Sequence, residues 1–385
     1  MNKKFIYLDS ASNCKMRKEV INVYIKYLKL NYSNPTSFHY LGRKSKSYIE
    51  ITREKISNII NCNSSEIFFT SGGSSGNNLI FNIIVNFLNI KYIITSKLEH
   101  LSIINNILYI KKKYKIKVFF IKNDKFGNLN LKQLYKILKK LNKKKKKILV
   151  SIMYVNNEIG NINNIKKIGL FCKKFNVYFH SDFVQYVGHF KLNVKKLLCD
   201  FFTVSGHKFY GPLGIGFIYI NKKININILK LKGIIYEIEN IYGIVSLYKA
   251  LKISNKLFLY EKKKITKLKK YCLFLLKKNI LNIKFNGLSD NLKKSSFYIL
   301  NIRLPIKDDL LHIKLDLKGI MISKSSSCNI INNSHVLKNI LKKKILENTT
   351  SIRISFNIFN NLLDIELFIY ELKKIIYNNY LIKIK

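Results

Sequence analysis

The chain has 385 residues, of which 48% are hydrophobic, so it can form one large domain and a smaller one around buried cores. This composition excludes a disordered or fibrous protein. The formal charge is +49, but only five of the 70 basic residues are arginine, and the positive charge is spread along the chain. We interpret it as a solvated surface and do not expect a nucleic-acid partner.

The sequence gives no sign of targeting, membrane insertion or metal binding. Only four apolar residues precede Asp9, which is too short for a signal peptide core, and no apolar run is long enough to span a bilayer. We therefore expect a cytoplasmic protein with no membrane partner. The six cysteines are scattered without a CxxC pair, which argues against a disulfide framework or a zinc site. We expect no resident metal.

Short apolar segments rich in Ile, Val, Phe and Tyr alternate with longer segments of helical periodicity through the first two thirds of the chain. The predicted strands are 67–70, 92–95, 117–121, 148–154, 177–180, 201–205 and 216–220. Segments 130–141 and 162–175 are predicted helices. This alternation predicts an α/β fold with a mostly parallel sheet covered on both faces, and ligands bind such sheets beyond the carboxyl ends of the strands.

The character of the sequence changes near residue 250, where a lysine-rich helical segment, 251–278, begins. We therefore expect a large domain over residues 14–250. Residues 251–385, together with the N-terminal 1–13, are expected to form a smaller α+β domain.

A glycine- and serine-rich loop joins the first predicted strand to an apolar helix at residues 71–78. Gly72, Gly73 and Ser74 lie at the start of that helix, where backbone N–H groups have no partner within the helix. Such a turn can bind phosphate. Taken alone, it is an ordinary loop as often as an anion site.

Two predicted strands end in residues that suit a carbonyl cofactor. Lys208 follows the strand at 201–205 and lies between Ser205–His207 and a Gly-Pro turn, and a lysine amine can form a Schiff base. Asp182 lies at the end of the previous strand, just after the predicted 177–180, and a carboxylate there is the usual partner of the pyridine nitrogen of pyridoxal phosphate. Alone, Asp182 suits a helix N-cap equally well. The pair favours a pyridoxal phosphate site.

These motifs, in this order, resemble the NifS/IscS class of cysteine desulfurases, which are fold-type I pyridoxal-phosphate enzymes related to aminotransferases. The resemblance runs almost from end to end. Its motifs lie at residues 7–11, 34–35, 42–43, 71–73, 99–100, 156–160, 182–185, 205–208, 327–328, 335–337 and 351–355. It implies a fold-type I transferase with a large, mostly parallel sheet domain and a smaller α+β domain.

The resemblance also implies the role of each site residue. Lys208 would form the Schiff base with pyridoxal phosphate and act as general base, and Asp182 would pair with the pyridine nitrogen. His100 would stack on the ring and serve as a candidate proton donor, although a capping or surface histidine is its alternative interpretation. The remaining implied contacts are Gln185 and Asn157 at the phenolic oxygen, Gly73, Ser74, Ser205 and His207 at the phosphate, and Arg353 at the substrate carboxylate with Asn34 and Asn157 nearby.

The resemblance places the sulfur chemistry on Cys328, which lies in a polar segment. Its thiolate would attack the sulfur of L-cysteine, so that alanine is released and a persulfide remains on Cys328. Cys328 is also the one candidate for a transient iron-sulfur ligand. The class further implies a homodimer, an iron-sulfur scaffold protein as sulfur acceptor, and a tRNA-thiolation relay as a further destination of the sulfur.

The sequence departs from its class in several places. Most relatives carry a glycine-rich Arg-Ser-Gly-Thr segment whose Thr reaches the phosphate in the neighbouring subunit, whereas residues 232–240 here are shorter and lack that Arg and Thr. Ser74 and Ser75 replace the more usual Thr and Glu, and Ser325 and Ser327 stand where Gly and Ala are commoner. A lost hydrogen bond of this kind costs about 1–3 kcal/mol, which weakens cofactor retention.

Three other interpretations remain open at this point. The first is another pyridoxal-phosphate reaction, such as transamination or selenocysteine cleavage, in which Cys328 is not required. The second is a degenerate assembly partner that binds no cofactor. The third is an RNA-binding protein that uses its positive charge, although no RNA-binding motif is present.

Overall fold

The computed structural model describes residues 5–30, 33–142, 147–224, 239–324 and 334–384. The helices are α1 Lys18–Leu30, α2 Tyr40–Ile60, α3 Gly73–Leu88, α4 Leu101–Tyr114, α5 Leu131–Asn142, α6 Ile165–Lys174, α7 Val194–Leu197, α8 Ile241–Asn279, α9 Leu311–Asp316, α10 His335–Ile340, α11 Lys343–Asn348 and α12 Leu362–Ile384. The strands are β1 Ile6–Tyr7, β2 Ile67–Thr70, β3 Tyr92–Ser96, β4 Lys117–Ile121, β5 Ile148–Ser151, β6 Tyr178–Asp182, β7 Phe201–Ser205, β8 Gly216–Ile220, β9 Lys284–Phe285, β10 Ile299–Leu304, β11 Ile320–Met321, β12 Ser323–Lys324 and β13 Thr350–Ser355.

Seven strands form the main sheet, in the order β2-β8-β7-β6-β5-β3-β4. The pairs β7–β6, β6–β5, β5–β3 and β3–β4 are parallel. Strand β8 runs antiparallel to both of its neighbours, so β2 has the same direction as β7. The predicted α/β fold with a mostly parallel sheet is confirmed. Consequently β2, β3, β5, β6 and β7 end at one edge of the sheet.

Apolar side chains on both faces of this sheet are buried under helices. Ile94 and Val150 belong to the hydrophobic core that includes residues of α2, α5, α6 and α8. Their neighbours Ile93 and Leu149 point to the opposite face and pack with residues of α3 and α4. Successive strand residues alternate between faces, so a strand buried on both faces needs a continuous apolar run.

One predicted strand is shorter in the structure than in the sequence prediction. The segment predicted as 148–154 forms strand only as far as Ser151. Beyond it, Ile152 N and Tyr154 N still donate to carbonyl oxygens of β6, but the N–H of Met153 between them donates to the side-chain oxygens of Glu99, at 3.0 and 2.9 Å. This segment leads into the loop that carries Asn156 and Asn157.

A second hydrophobic core lies around β10 and β13, which pair antiparallel in a four-stranded sheet, β12-β13-β10-β9. It includes Ile6 and Leu8 from the N-terminus, and residues of α8 and α12. Helix α8 begins at Ile241, earlier than the predicted 251, because Asn240 caps it by accepting a hydrogen bond from Gly243 N. Helix α8 contributes residues to both cores, and the division into a large and a small domain stays a prediction.

No helix in the described part of the chain is long and apolar enough to cross a membrane.

Candidate active site

Lys208 lies in a short 3-10 helix, Gly206–Phe209, immediately after β7. Its side chain is half-buried, and Nζ donates hydrogen bonds to the carbonyl oxygens of Ala11, at 3.0 Å, and Ser12. Its own carbonyl oxygen lies 2.8 Å from Nε2 of His189. Burial lowers the pKa of His189 to about 4, so the ring is neutral and Nε2 carries the proton that it donates. The lysine is therefore held at both its backbone and its amine.

Asp182 ends β6, the parallel neighbour of β7, and is buried. Its Oδ1 accepts a hydrogen bond from Val184 N at 2.9 Å, and its Oδ2 accepts one from Asn77 Nδ2 at 3.0 Å. A carboxylate has about four lone-pair sites, so this side chain can accept a further N–H donor. Asn77, on α3, was not predicted as a site residue. Its Oδ1 is buried and has no hydrogen-bond partner among the described residues.

The predicted phosphate loop forms the start of α3, where Gly72 is the N-cap residue. Gly72 has φ +151°, which strains a residue with a side chain. A Cβ on Gly73 would lie 2.8 Å from Cγ2 of Val184, so the close approach of this turn to the segment after β6 also requires glycine. Ser74 is exposed on the first turn, and Ser75 Oγ donates to Gly72 O at 2.9 Å.

Ser205 and His207 lie beside this loop. A Cβ on Gly72 would lie 3.5 Å from Ser205 Oγ, and that hydroxyl is 3.0 Å from Nδ1 of His207. Burial and, secondly, the charge of Lys208 lower the pKa of His207 to about 4, so the imidazole is neutral at pH 7. The structure thus gathers hydroxyls, a neutral imidazole and helix N–H groups at one place, which suits an anion.

His100 follows β3 and is the N-cap residue of α4. Its Nδ1 accepts a hydrogen bond from Ser102 N at 3.1 Å and lies 2.8 Å from Ser102 Oγ. Burial lowers the pKa of His100, while the nearby carboxylate of Asp182 acts in the opposite direction. Capping, the alternative interpretation of this histidine, is therefore observed. Capping uses only the Nδ1 atom of the His100 ring.

Gln185 lies on the turn after β6, and both ends of its amide are bonded. Nε2 donates to Ala11 O at 2.9 Å, the same carbonyl that accepts from Lys208 Nζ. The hydroxyl of Tyr298 lies 2.7 Å from Oε1 and 2.7 Å from the backbone oxygen of Gln185. The contact with Tyr298 was not predicted from the sequence.

Arg353, on β13, is only 1% exposed, and both Nη atoms of its guanidinium donate hydrogen bonds. Nη1 donates to Asn157 O at 2.8 Å, and Nη2 donates to Asp9 Oδ1 at 2.8 Å. The hydroxyls of Ser12 and Ser323 also accept from Nη2. Nε has no hydrogen-bond partner among the described residues.

The structure does not bring Asn34 into this group. Asn34 is exposed, and its Oδ1 accepts hydrogen bonds from the backbone N–H and the hydroxyl of Thr36, at 3.0 and 2.9 Å. Asn157 contributes its carbonyl oxygen to Arg353, as described above.

A buried acidic group next to Asn157 was also missed by sequence reasoning. Burial raises the pKa of Glu158 to about 7, and its carboxylate accepts a hydrogen bond from Ser334 Oγ. Nδ1 of His335 lies 3.8 Å from Glu158 Oε1, and Nε2 of His335 donates to Glu99 O at 2.8 Å. The only sequence signal for this cluster was the matching Asn-Asn-Glu-Ile-Gly and His-Val-Leu motifs.

Cys328 lies outside the described residues, as do residues 232–238 of the segment that departs from the class pattern. Of that segment, Glu239 pairs with Arg53 at 2.8 Å and Asn240 caps α8. The five other cysteines are unpaired. Burial raises the pKa of all five thiols. The pKa rises to about 12 for Cys14 and Cys62, and it is also raised for Cys172, Cys199 and Cys272.

Comparison with known proteins places the chain in a family. The family model of the class-V aminotransferases matches residues 6–368. The cysteine desulfurase IscS of Dictyoglomus turgidum is 35% identical over an alignment of 345 positions that covers 87% of this chain and 85% of that protein. The cysteine desulfurase IscS of Clostridium botulinum strain Hall is 33% identical over an alignment of 387 positions that covers 98% of this chain and 95% of that protein.

Solved structures agree. The X-ray structure of a NifS-like protein from Rickettsia africae is 30% identical, with a TM-score of 0.82, and covers 97% of this chain and 99% of its own. The apo structure of a cysteine desulfurase from Thermococcus onnurineus has a TM-score of 0.82 at 25% identity, with 97% of this chain and 95% of its own covered. The chain belongs to the aminotransferase class-V family, within the NifS/IscS class of cysteine desulfurases.

Enzymes of this family use pyridoxal phosphate. The residues present fit that cofactor, since an amine, a carboxylate and an anion site converge where three strands end. The glycines are needed for the close approach of the loop, because a Cβ on Gly73 would collide with Val184.

Proposed function

We propose that this chain is a cysteine desulfurase that transfers the sulfur of L-cysteine to Cys328 and releases L-alanine. One observation carries the proposal. Lys208 lies just after β7 and Asp182 ends its parallel neighbour β6, next to the Gly72–Gly73 turn. This combination supplies an attachment point, a partner for a ring nitrogen and a phosphate site.

Each end of the cofactor has a matching group. Lys208 would hold its aldehyde carbon, Asp182 its ring nitrogen, and the start of α3 with Gly73, Ser74, Ser205 and His207 its phosphate. His100 would stack on the ring, with Gln185 and Asn157 at the phenolic oxygen. When bound, pyridoxal phosphate supplies an electron sink for the bonding pair left on the substrate Cα.

Lys208 would act twice, first as the attachment point and then as the base that removes the Cα proton. Proton transfer requires the amine to be positioned within hydrogen-bond reach of its partner. The two carbonyls of Ala11 and Ser12 already fix Nζ beside Gln185 Nε2. His100 would be the proton donor to the departing product, through the ring nitrogen that helix capping leaves unused.

Arg353 would bind the substrate carboxylate. Its buried Nε–H has no partner among the described residues, and the adjacent Nη2 is shared among Asp9, Ser12 and Ser323. A carboxylate that takes Nε and Nη2 together would form a bidentate pair, a geometry that lysine cannot provide. Asn157, held by the same guanidinium, would be aligned with the substrate.

The sulfur step needs a thiolate, which would be that of Cys328. It would form a new S–S bond with the substrate sulfur while the Cβ–S bond breaks, and the released carbon skeleton takes up protons to become alanine. No external oxidant is required. The elevated pKa values of the five other thiols keep them protonated and unreactive, which supports Cys328.

The wider setting follows from the class. We propose a cytoplasmic homodimer that passes persulfide sulfur to an iron-sulfur scaffold protein and to a tRNA-thiolation relay. The unpaired state of five cysteines supports a reducing compartment.

The test is to incubate the purified chain with pyridoxal phosphate and L-cysteine and to measure alanine and protein-bound persulfide. Lys208→Ala should form neither product, whereas Cys328→Ser should form no persulfide. Cys62→Ser, at a partly exposed cysteine outside the site, is the matched control and should behave like wild type. Persulfide formation that survives both site substitutions contradicts the proposal. A wild-type chain that binds no cofactor supports the degenerate assembly partner instead.

A further inference from the structure

Tyr298 joins the two hydrophobic cores at the candidate site. It directly precedes β10 and belongs to the core around β10 and β13, yet its hydroxyl reaches Gln185 in the main-sheet region. The ring is completely buried, and its backbone oxygen accepts a hydrogen bond from Phe356 N at 2.8 Å, just beyond β13. The position of this hydroxyl is therefore fixed by the same strands that carry Arg353.

The Tyr298 hydroxyl and the carbonyl oxygen of Ala11 together determine which way the Gln185 amide points. The hydroxyl has one proton and faces two oxygens of Gln185, Oε1 and the backbone oxygen, each at 2.7 Å. Burial raises the pKa of Tyr298 well above its ordinary value, so the group remains a donor. Placing Oε1 beside this donor directs Nε2 toward Ala11 O, at 2.9 Å. The opposite amide orientation would set Oε1 against a carbonyl oxygen, which is unfavourable.

This orientation brings a free N–H to the catalytic amine. Ala11 O accepts from both Gln185 Nε2 and Lys208 Nζ, so the two nitrogens lie on one acceptor. An amide nitrogen has two N–H groups, and among the described residues only one of them is paired. The second is available to a ligand attached at Lys208.

A stacked histidine holds the tyrosine ring in place. The His189 ring lies 3.9 Å from that of Tyr298, with 22° between their planes, and its Nε2 donates to Lys208 O at 2.8 Å. The stacked rings of His189 and Tyr298 therefore fix the Lys208 backbone and the Gln185 amide relative to each other.

We propose that Tyr298 is a positioning residue that orients the Gln185 amide so that its N–H points at the phenolic oxygen of the cofactor on Lys208. This inference rests on the proposed function of Lys208 and Gln185. A donor at that oxygen favours the form in which the oxygen bears full negative charge, and so lowers the pKa of the protonated Schiff base. Removing the hydroxyl should raise it.

The test uses Tyr298→Phe, which keeps the stacked ring and deletes the hydroxyl. The cofactor-loaded protein is titrated with base and the visible absorbance of the bound cofactor is followed. We expect an upward shift of about half to one pKa unit, the equivalent of one neutral hydrogen bond. Cofactor stoichiometry should be unchanged, since Tyr298 does not itself contact the phosphate residues.

Two further variants complete the experiment. Gln185→Leu removes the N–H donor directly and should give the same upward shift, and adding Tyr298→Phe to it should produce no further shift. Tyr186→Phe is the matched control, because its buried hydroxyl donates to Lys191 O at 2.9 Å, and it should leave the titration unchanged.

An unchanged titration in Tyr298→Phe, or a shift that persists undiminished in the Gln185→Leu background, would overturn the inference. If Tyr298→Phe does not fold, an unchanged titration in Gln185→Leu overturns it alone. Failure of the proposed function looks different: the wild-type chain would show no visible band that Lys208→Ala abolishes.

Discussion

The main-sheet edge and the Arg353 cluster differ in how they are built. At the sheet edge, Lys208 follows β7 and Asp182 ends β6, and the Asp182 carboxylate can accept a further N–H donor. Around Arg353, a buried guanidinium is already paired with the carboxylate of Asp9. The first region is prepared by local backbone geometry, whereas the second is stabilised by contacts between distant segments. Substitutions at the sheet edge should therefore affect the chemistry, whereas those around Arg353 should affect substrate binding and stability.

The largest effect is expected at Lys208. Lys208→Ala removes the attachment point and the base together, so alanine formation should fall about 1000-fold or more. Measured rates of alanine release check this. Lys97→Ala is the control, because Lys97 is exposed in the turn after β3, at the same sheet edge, and its loss should leave the rate unchanged. If Lys208→Ala kept a rate close to that of wild type, the sheet edge would not be the site of the reaction.

Arg353→Lys tests whether the second region binds the substrate carboxylate. Losing a charged bidentate pair should lower kcat/KM for cysteine about 100-fold, equivalent to about 3 kcal/mol. Most of the change should appear in KM. Arg303→Lys on the neighbouring strand β10 serves as the control and should change KM little. Equal values of KM in Arg353→Lys and wild type would contradict the proposed role.

Glu158 makes the second region sensitive to pH. Burial raises its pKa from 4.5 to about 7, so the folded state binds the proton more tightly than the unfolded state. This group's contribution to stability is fully present below pH 4.5 and is lost as the pH rises to 7, an effect of about 3 kcal/mol. Glu158→Gln should therefore gain stability relative to wild type across that range, measured by urea unfolding at several pH values. A constant difference between the two proteins would refute this.

Asp9→Asn should lower the free energy of unfolding by about 2 kcal/mol, because it leaves the buried Arg353 guanidinium without its carboxylate. The loss is smaller than for a fully buried ion pair because the Asp9 side chain is 18% exposed. Asp309→Asn breaks an exposed ion pair with Lys307 and should change stability by less than about 0.5 kcal/mol. Equal losses of unfolding free energy in the two variants, measured by urea unfolding at pH 7, would contradict the stabilising role of the buried Asp9–Arg353 pair.

Local sequence patterns predicted the first region well. Strands β2, β4, β7 and β8 have the predicted bounds, because each is a short, mostly apolar run followed by glycine or a polar residue. The glycine turn and the residues at strand ends follow from the same pattern, since parallel strands bring their carboxyl ends to one edge.

Contacts between distant segments, in either region, could not be predicted in the same way. Asp9 and Arg353 are separated by 344 positions, and Gln185 and Tyr298 by 113. Periodicity contains no information about which distant side chains meet, so these contacts needed the structure. Asn34 shows the converse case, in which a residue matched by motif forms its hydrogen bonds locally with Thr36.

The central claim is that Lys208, among 65 lysines, holds the cofactor. Borohydride reduction of the pyridoxal-phosphate-loaded protein, followed by peptide mass spectrometry, locates the modified lysine directly. We predict a single adduct on Lys208. The most informative rival is Lys269, whose pKa burial lowers to about 7. An adduct on Lys269, or adducts spread over surface lysines with Lys208 unmodified, would contradict the assignment.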